Sequence, residues 1–176
     1  MAFDNFKRVV TQVLQLSYNG NITFGDGSTQ AVATGYNLIE AKSFTGSDLA
    51  FTTLPSGYKK LVMIVEVATT TGFSGALNAT FNAGALGSWS QMNAGTATLN
   101  TGTATANFPL ASSLQASTYV LEVHGYAKSN PKAVANTGNP AGILVGSISN
   151  ALTDIALKAG TSWGTATGTA TLYGIN

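Results

Sequence analysis

The spacing of hydrophobic and polar positions changes near residue 40. In the first stretch Phe6, Val9, Val10, Val13 and Leu14 recur at i, i+3, i+4, i+7 and i+8 behind Asp4, a candidate N-cap. Lys7, Arg8, Thr11, Gln12 and Gln15 take much of the other side, which predicts an amphipathic helix. Val9, Val10, Thr11 and Val13 are β-branched and lower helix propensity, so an extended arm stays open as the alternative. Asn19-Gly20 and Asp26-Gly27 follow as turn dipeptides and mark a hairpin or an extended connector. From about residue 37 the pattern is β. Leu61 to Val67 is a nearly unbroken apolar run, as expected of a strand buried on both faces. Further strand candidates are 42–54, 76–83, 95–108, 117–127, 141–149, 151–158 and 165–175, most of them separated by Gly, Asn or Pro. No crossover helix is written between them, which excludes a parallel α/β fold. The expectation is all-β: an antiparallel β-sandwich, jelly-roll-like, over 41–176, preceded by an arm and connector over 1–40.

Composition narrows this picture. Charged residues make up only 9% of the chain, against roughly 25% in an average soluble domain. Ala, Thr, Gly, Ser and Asn together supply 98 of the 176 residues. Residues 67 to 121 contain no Asp, Glu, Lys or Arg. Such a surface either stays soluble through Thr, Ser and Asn or is covered by neighbouring subunits, because charge is what keeps free domains apart. A net charge of +1 leaves no electrostatic footprint for nucleic acid. No stretch approaches the roughly 20 apolar residues of a membrane-spanning helix, so no membrane partner is expected. Residues 1–20 lack the ordered segments of a secretory signal, and the absence of cysteine excludes disulfides and thiolate sites. Assembly in a reducing cytoplasm fits both features.

Catalytic constellations are sparse. His124 is the sole imidazole, and Glu122, two residues earlier in a predicted strand, shares its face. A zinc site wants three or four ligands, and no second His or Cys exists to complete one. The seven carboxylates are spread singly, and no serine lies in a Gly-x-Ser-x-Gly elbow. Gly25-Asp26-Gly27 lacks the third glycine of a dinucleotide loop. No catalytic residue, metal or cofactor is expected. Gly-Thr-Ala-Thr occurs at Gly95, Gly102, Gly164 and Gly168, and in a strand it places both threonines on one face and the alanine on the other. The four copies keep no fixed period, which excludes a threonine-laddered solenoid. Trp89 and Trp163, in Gly/Ser/Thr-rich segments, either pack on the core or serve as platforms that stack on a sugar ring.

Three segments carry a family resemblance. The first is Phe51-Thr52-Thr53-Leu54-Pro55-Ser56-Gly57-Tyr58-Lys59-Lys60-Leu61, and the second is Phe81-Asn82-Ala83-Gly84. The third is the end of the chain, Leu152-Thr153-Asp154-Ile155-Ala156-Leu157 followed by Gly168-Thr169-Ala170-Thr171-Leu172-Tyr173-Gly174-Ile175. Together they resemble the small β-sandwich virion proteins of tailed bacteriophages, found as head decoration (cement) proteins and as tail or head fibre domains. The likeness covers roughly 41–176; the first forty residues have no counterpart, and Ala83 is an insertion in the Phe-Asn-Gly pattern.

The resemblance implies a non-enzymatic structural protein on the capsid exterior of a virion, with the major capsid protein and its own copies in a homotrimer as partners. Phe3, Phe6, Lys7, Arg8, Val9, Val10, Val13 and Leu14 are then the candidate capsid-binding arm. Several such arms acting together would attach tightly through effective concentration. The alternative implication is a fibre module that binds a host surface glycan, with Trp89 and Trp163 as the stacking residues.

Overall fold

A computed structural model describes residues 21–23, 29–31, 35–84, 87–93, 99–137 and 142–176. The chain divides into two compact units, Met1–Gly35 and Tyr36–Asn176. In the first, β1 (Asn21–Thr23) pairs antiparallel with β2 (Thr29–Ala31), the hairpin reading of the Gly/Asn-rich connector. The eight candidate arm residues between Phe3 and Leu14 lie outside the described residues.

Among its described residues the second unit has twelve antiparallel strands: β3 (Asn37–Thr45), β4 (Leu49–Phe51), β5 (Lys60–Thr69), β6 (Leu77–Phe81), β7 (Gly87–Asn93), β8 (Leu99–Thr105), β9 (Phe108–Ala111), β10 (Thr118–His124), β11 (Lys132–Thr137), β12 (Gly142–Ile148), β13 (Ile155–Ala159) and β14 (Thr167–Ile175). They form an eight-stranded sheet ordered β3-β14-β5-β10-β11-β12-β7-β8 and a four-stranded sheet ordered β4-β13-β6-β9. Setting β7, β8, β11 and β12 aside leaves eight framework strands. Counted among themselves in chain order, these run 1-8-3-6 in one sheet and 2-7-4-5 in the other. That order is the jelly roll, two Greek keys folded into a sandwich. The other four strands are two hairpins, inserted after β6 and after β10, which extend the large sheet beyond β10.

Alternation explains the framework. In β5, Leu61, Met63, Val65 and Val67 face the small sheet and are buried. On the outer face Val62 is also buried, Ile64 is half-buried and Glu66 is exposed, so burial on both faces holds for the first half of the strand. Phe51, Phe81, Phe108, Ile155 and Leu157 complete the core from the small sheet. Each such side chain withdrawn from water contributes about 1.5–3 kcal/mol. The stretch 42–54 does not run as one strand. Gly46, at φ +60°, turns the chain from β3 in the large sheet to β4 in the small one, and its amide donates to Ala166 O at 2.9 Å. β3 begins at Asn37, so the large sheet includes residues that the 40/41 division assigns to the connector.

The extension is held differently. Its inner face carries Gly87, Ala133, Ala135 and Gly146 among larger Leu144 and Ile148. These small residues let β11 and β12 come close over β9. A Cβ on Gly87 would lie 3.0 Å from Phe108 Cζ, and one on Gly146 would collide with the same ring. Phe108 in turn meets Phe81 edge-on, ring centroids 4.8 Å apart. Glycine inside a strand here marks the place where a ring needs room.

Candidate functional site

The family-like segments meet in pairs. Gly174 of β14 lies under the Tyr58 ring, where any side chain would collide, and Lys59 N donates to Ile175 O at 2.8 Å. The Tyr126 hydroxyl donates to Pro55 O and locks the turn that precedes β5. The second pair joins 81–84 to 151–154. Asn82 Nδ2 donates to Ala151 O at 2.9 Å, Thr153 N donates to Asn82 Oδ1 at 2.7 Å, and Ala83 N donates to Asp154 Oδ1 at 2.9 Å. Asn82 and Ala83 both have positive φ, 50° and 54°, a conformation that side chains other than glycine adopt at a cost. The cross-links to Thr153 and Asp154 hold them there. These motifs are therefore fastenings of the sandwich.

The two tryptophans differ in their surroundings: Trp163 is buried and Trp89 is half-buried. Trp163 is 6% exposed; its ring packs against Phe44 and Phe73, with centroids 5.2 and 5.6 Å away, and its Nε1 donates to Asp48 Oδ1 at 2.6 Å. This corrects the sugar-stacking reading of Trp163, because a buried ring has no free face. Trp89 lies on the inner side of β7, half-buried over Gly102 of β8, where a Cβ would stand 2.5 Å from the indole. Its indole N–H is buried and has no partner among the described residues. The glycine partner opposite Trp89 in the ladder is what lets the ring lie flat, and both Trp89 and Gly102 line an open groove.

Glu122 and His124 share the outer face of β10, as their spacing requires. His124 Nε2 lies 3.2 Å from Glu122 Oε2, and Lys60 Nζ donates to the same oxygen at 3.1 Å. The remaining carboxylates of this unit are apart: Glu40 pairs with Lys42, Asp48 holds Trp163, Glu66 accepts from Thr169, and Asp154 fastens the 82–84 turn. Among the described residues no three His, Asp or Glu side chains come together.

Two surface features escaped the sequence reading. The outer face of the large sheet exposes Tyr36 and Leu38 at one end and Met92, Ile143 and Val145 at the other. Also, Lys59, Lys60, Lys128 and Lys132, four of the six lysines of this unit, gather where β5 begins, β10 ends and β11 begins. Beside that corner, on the outer side of the extension, lies an open groove of about 540 Å³ whose lining includes Ser88, Ser90, Thr101, Thr103, Ser147 and Lys132. A run of neutral hydroxyl residues gives no local signal of a groove; strand order creates it.

No family model and no curated protein matches the chain. Among solved structures, an exo-inulinase from Aspergillus awamori aligns over 89% of this chain and 34% of its own length, at 14% identity and a TM-score of 0.43. The chain therefore spans about a third of that enzyme, and a likeness of this degree says nothing about activity here.

Proposed function

We propose that this chain is a bacteriophage virion structural protein, a decoration or cement protein that assembles on the outside of the capsid and stabilises it. The observation that carries this reading is the outer face of the eight-stranded sheet. It is broad, and it displays Tyr36 and Leu38 at the β3 edge and Met92, Ile143 and Val145 on β7 and β12, at up to 64% exposure, on either side of the charged strands β5, β10 and β11. Exposed apolar side chains on one face are the signature of an assembly surface, whereas a substrate site is concave with converging polar groups. The jelly-roll order and the spatial pairing of the family-like segments support the same reading. In this role the protein is non-enzymatic, forms a homotrimer, binds the major capsid protein and takes no cofactor. The Phe3–Leu14 arm supplies attachment, and assembly takes place in the host cytoplasm.

Co-sedimentation with shells that lack the protein tests the proposal. The full chain should pellet with shells, and a chain lacking residues 1–20 should stay in the supernatant while its sandwich remains folded. A full chain that never pellets overturns the cement role. Pelleting undiminished by the deletion removes the arm from it.

A further inference from the structure

The antiparallel register places five side chains from five strands in one line. Lys60 of β5 is opposite His124 of β10, His124 is opposite Lys132 of β11, Lys132 is opposite Ser147 of β12, and Ser147 is opposite Ser88 of β7. All five stand on the outer face, since their strand neighbours Leu61, Val123, Ala133, Ile148 and Gly87 are buried inward. At about 4.8 Å between strands the row is about 19 Å long. Its cationic end is the lysine corner, and its hydroxyl end is the floor of the open groove, where Ser88 Oγ and Ser147 Oγ lie 3.0 Å apart. Lys132 joins the two ends, and among the described residues no carboxylate pairs with it; Glu122, the nearby acid, is engaged by Lys60 and His124.

From this row we infer that the protein binds a linear acidic saccharide across the outer face of β12, β11 and β10. A carboxylate of the chain pairs with Lys132, the cation that Glu122 leaves unpaired, and sugar hydroxyls exchange hydrogen bonds with Ser88, Ser147 and the groove threonines. Charge-assisted bonds to carboxylate are the strong ones, and neutral hydroxyls supply orientation. Val145, exposed in the groove, offers an apolar contact to the C–H face of a sugar ring. An acidic peptide would satisfy the lysines but leave the hydroxyl half of the row, Ser88 and Ser147 with the groove threonines, unused. The row shares Val145 with the face proposed for assembly, so the inference requires that the groove end of that face stay open in the particle.

Affinity electrophoresis of the full chain through gels containing polygalacturonate, neutral dextran or polyglutamate tests it. Polygalacturonate should retard the protein and dextran should not. Lys132→Gln should weaken retardation about tenfold, the loss expected for one charge-assisted bond. The double change Ser88→Val with Ser147→Val should weaken it severalfold. An unfolding transition recorded for each variant shows that it is folded. Absence of retardation by polygalacturonate overturns the inference. So does equal retardation by polyglutamate that survives the serine changes, which would instead mark a docking surface for an acidic protein.

Discussion

The framework sandwich and its four-strand extension share the large sheet, yet they are stabilised by opposite means. In the framework, large side chains such as Phe51, Met63, Leu121, Ile155 and Leu157 fill the space between two sheets. In the extension, Gly87, Ala133, Ala135 and Gly146 remove side-chain volume so that the sheet can rest on Phe108 of β9. The outer faces diverge as well. The framework carries the Lys60–Glu122 ion pair there, whereas the extension shows hydroxyls, exposed Met92, Ile143 and Val145, and the single cation Lys132. Close backbone approach on one side of a strand leaves the other side free of any packing duty. Such a face can carry a ligand row or an assembly surface without cost to the core.

Four substitutions separate the two regions, and the largest effect belongs to the framework. Phe51→Ala removes a fully buried ring and should cost about 3–5 kcal/mol in urea unfolding, with the transition still cooperative. Gly146→Ala drives a methyl into Phe108 and should cost about 1–3 kcal/mol. Its hydrogen-exchange signature should be local, with faster exchange in β12, β7 and β8 and retained protection in β5 and β14. Uniform acceleration would show that the extension and framework unfold as one unit. Asn82→Ala loses the bond to Ala151 O and those from Thr153 and leaves alanine at φ 50°, an expected loss of about 1–2 kcal/mol read from chemical denaturation. Glu122→Gln touches only a partly exposed ion pair and should cost less than about 1 kcal/mol. A larger loss would mean that the Lys60–Glu122–His124 contact contributes to fold stability.

Much of the framework was readable from alternation. The apolar run Leu61–Val67 became the central strand β5, and Thr169 and Thr171 flank inward Ala170 as the Gly-Thr-Ala-Thr pattern requires. β7 and β11 were not among the strand candidates. Their inward positions are Gly87, Trp89 and Gln91 in one and Ala133 and Ala135 in the other, so hydrophobic periodicity has almost nothing to register. The tryptophans were ambiguous for a related reason. An indole in a Gly/Ser/Thr segment fits a core or a surface equally well until its neighbours are known, and Phe44, Phe73 and Asp48 place Trp163 inside.

By itself the sequence settled the class of structure, because turn residues, period-two alternation and the absence of crossover helices act over short spans. It also settled that the surface would be poor in charge, since 9% charged residues cannot supply more. The tertiary structure alone decided which strands are neighbours. Local pattern says which face a side chain takes, but the row from Lys60 through His124, Lys132 and Ser147 to Ser88 exists only because five separate strands pair in one register. That pairing comes from long-range packing, above all the seating of Phe108 beneath Gly87 and Gly146, and no window of neighbouring residues contains it.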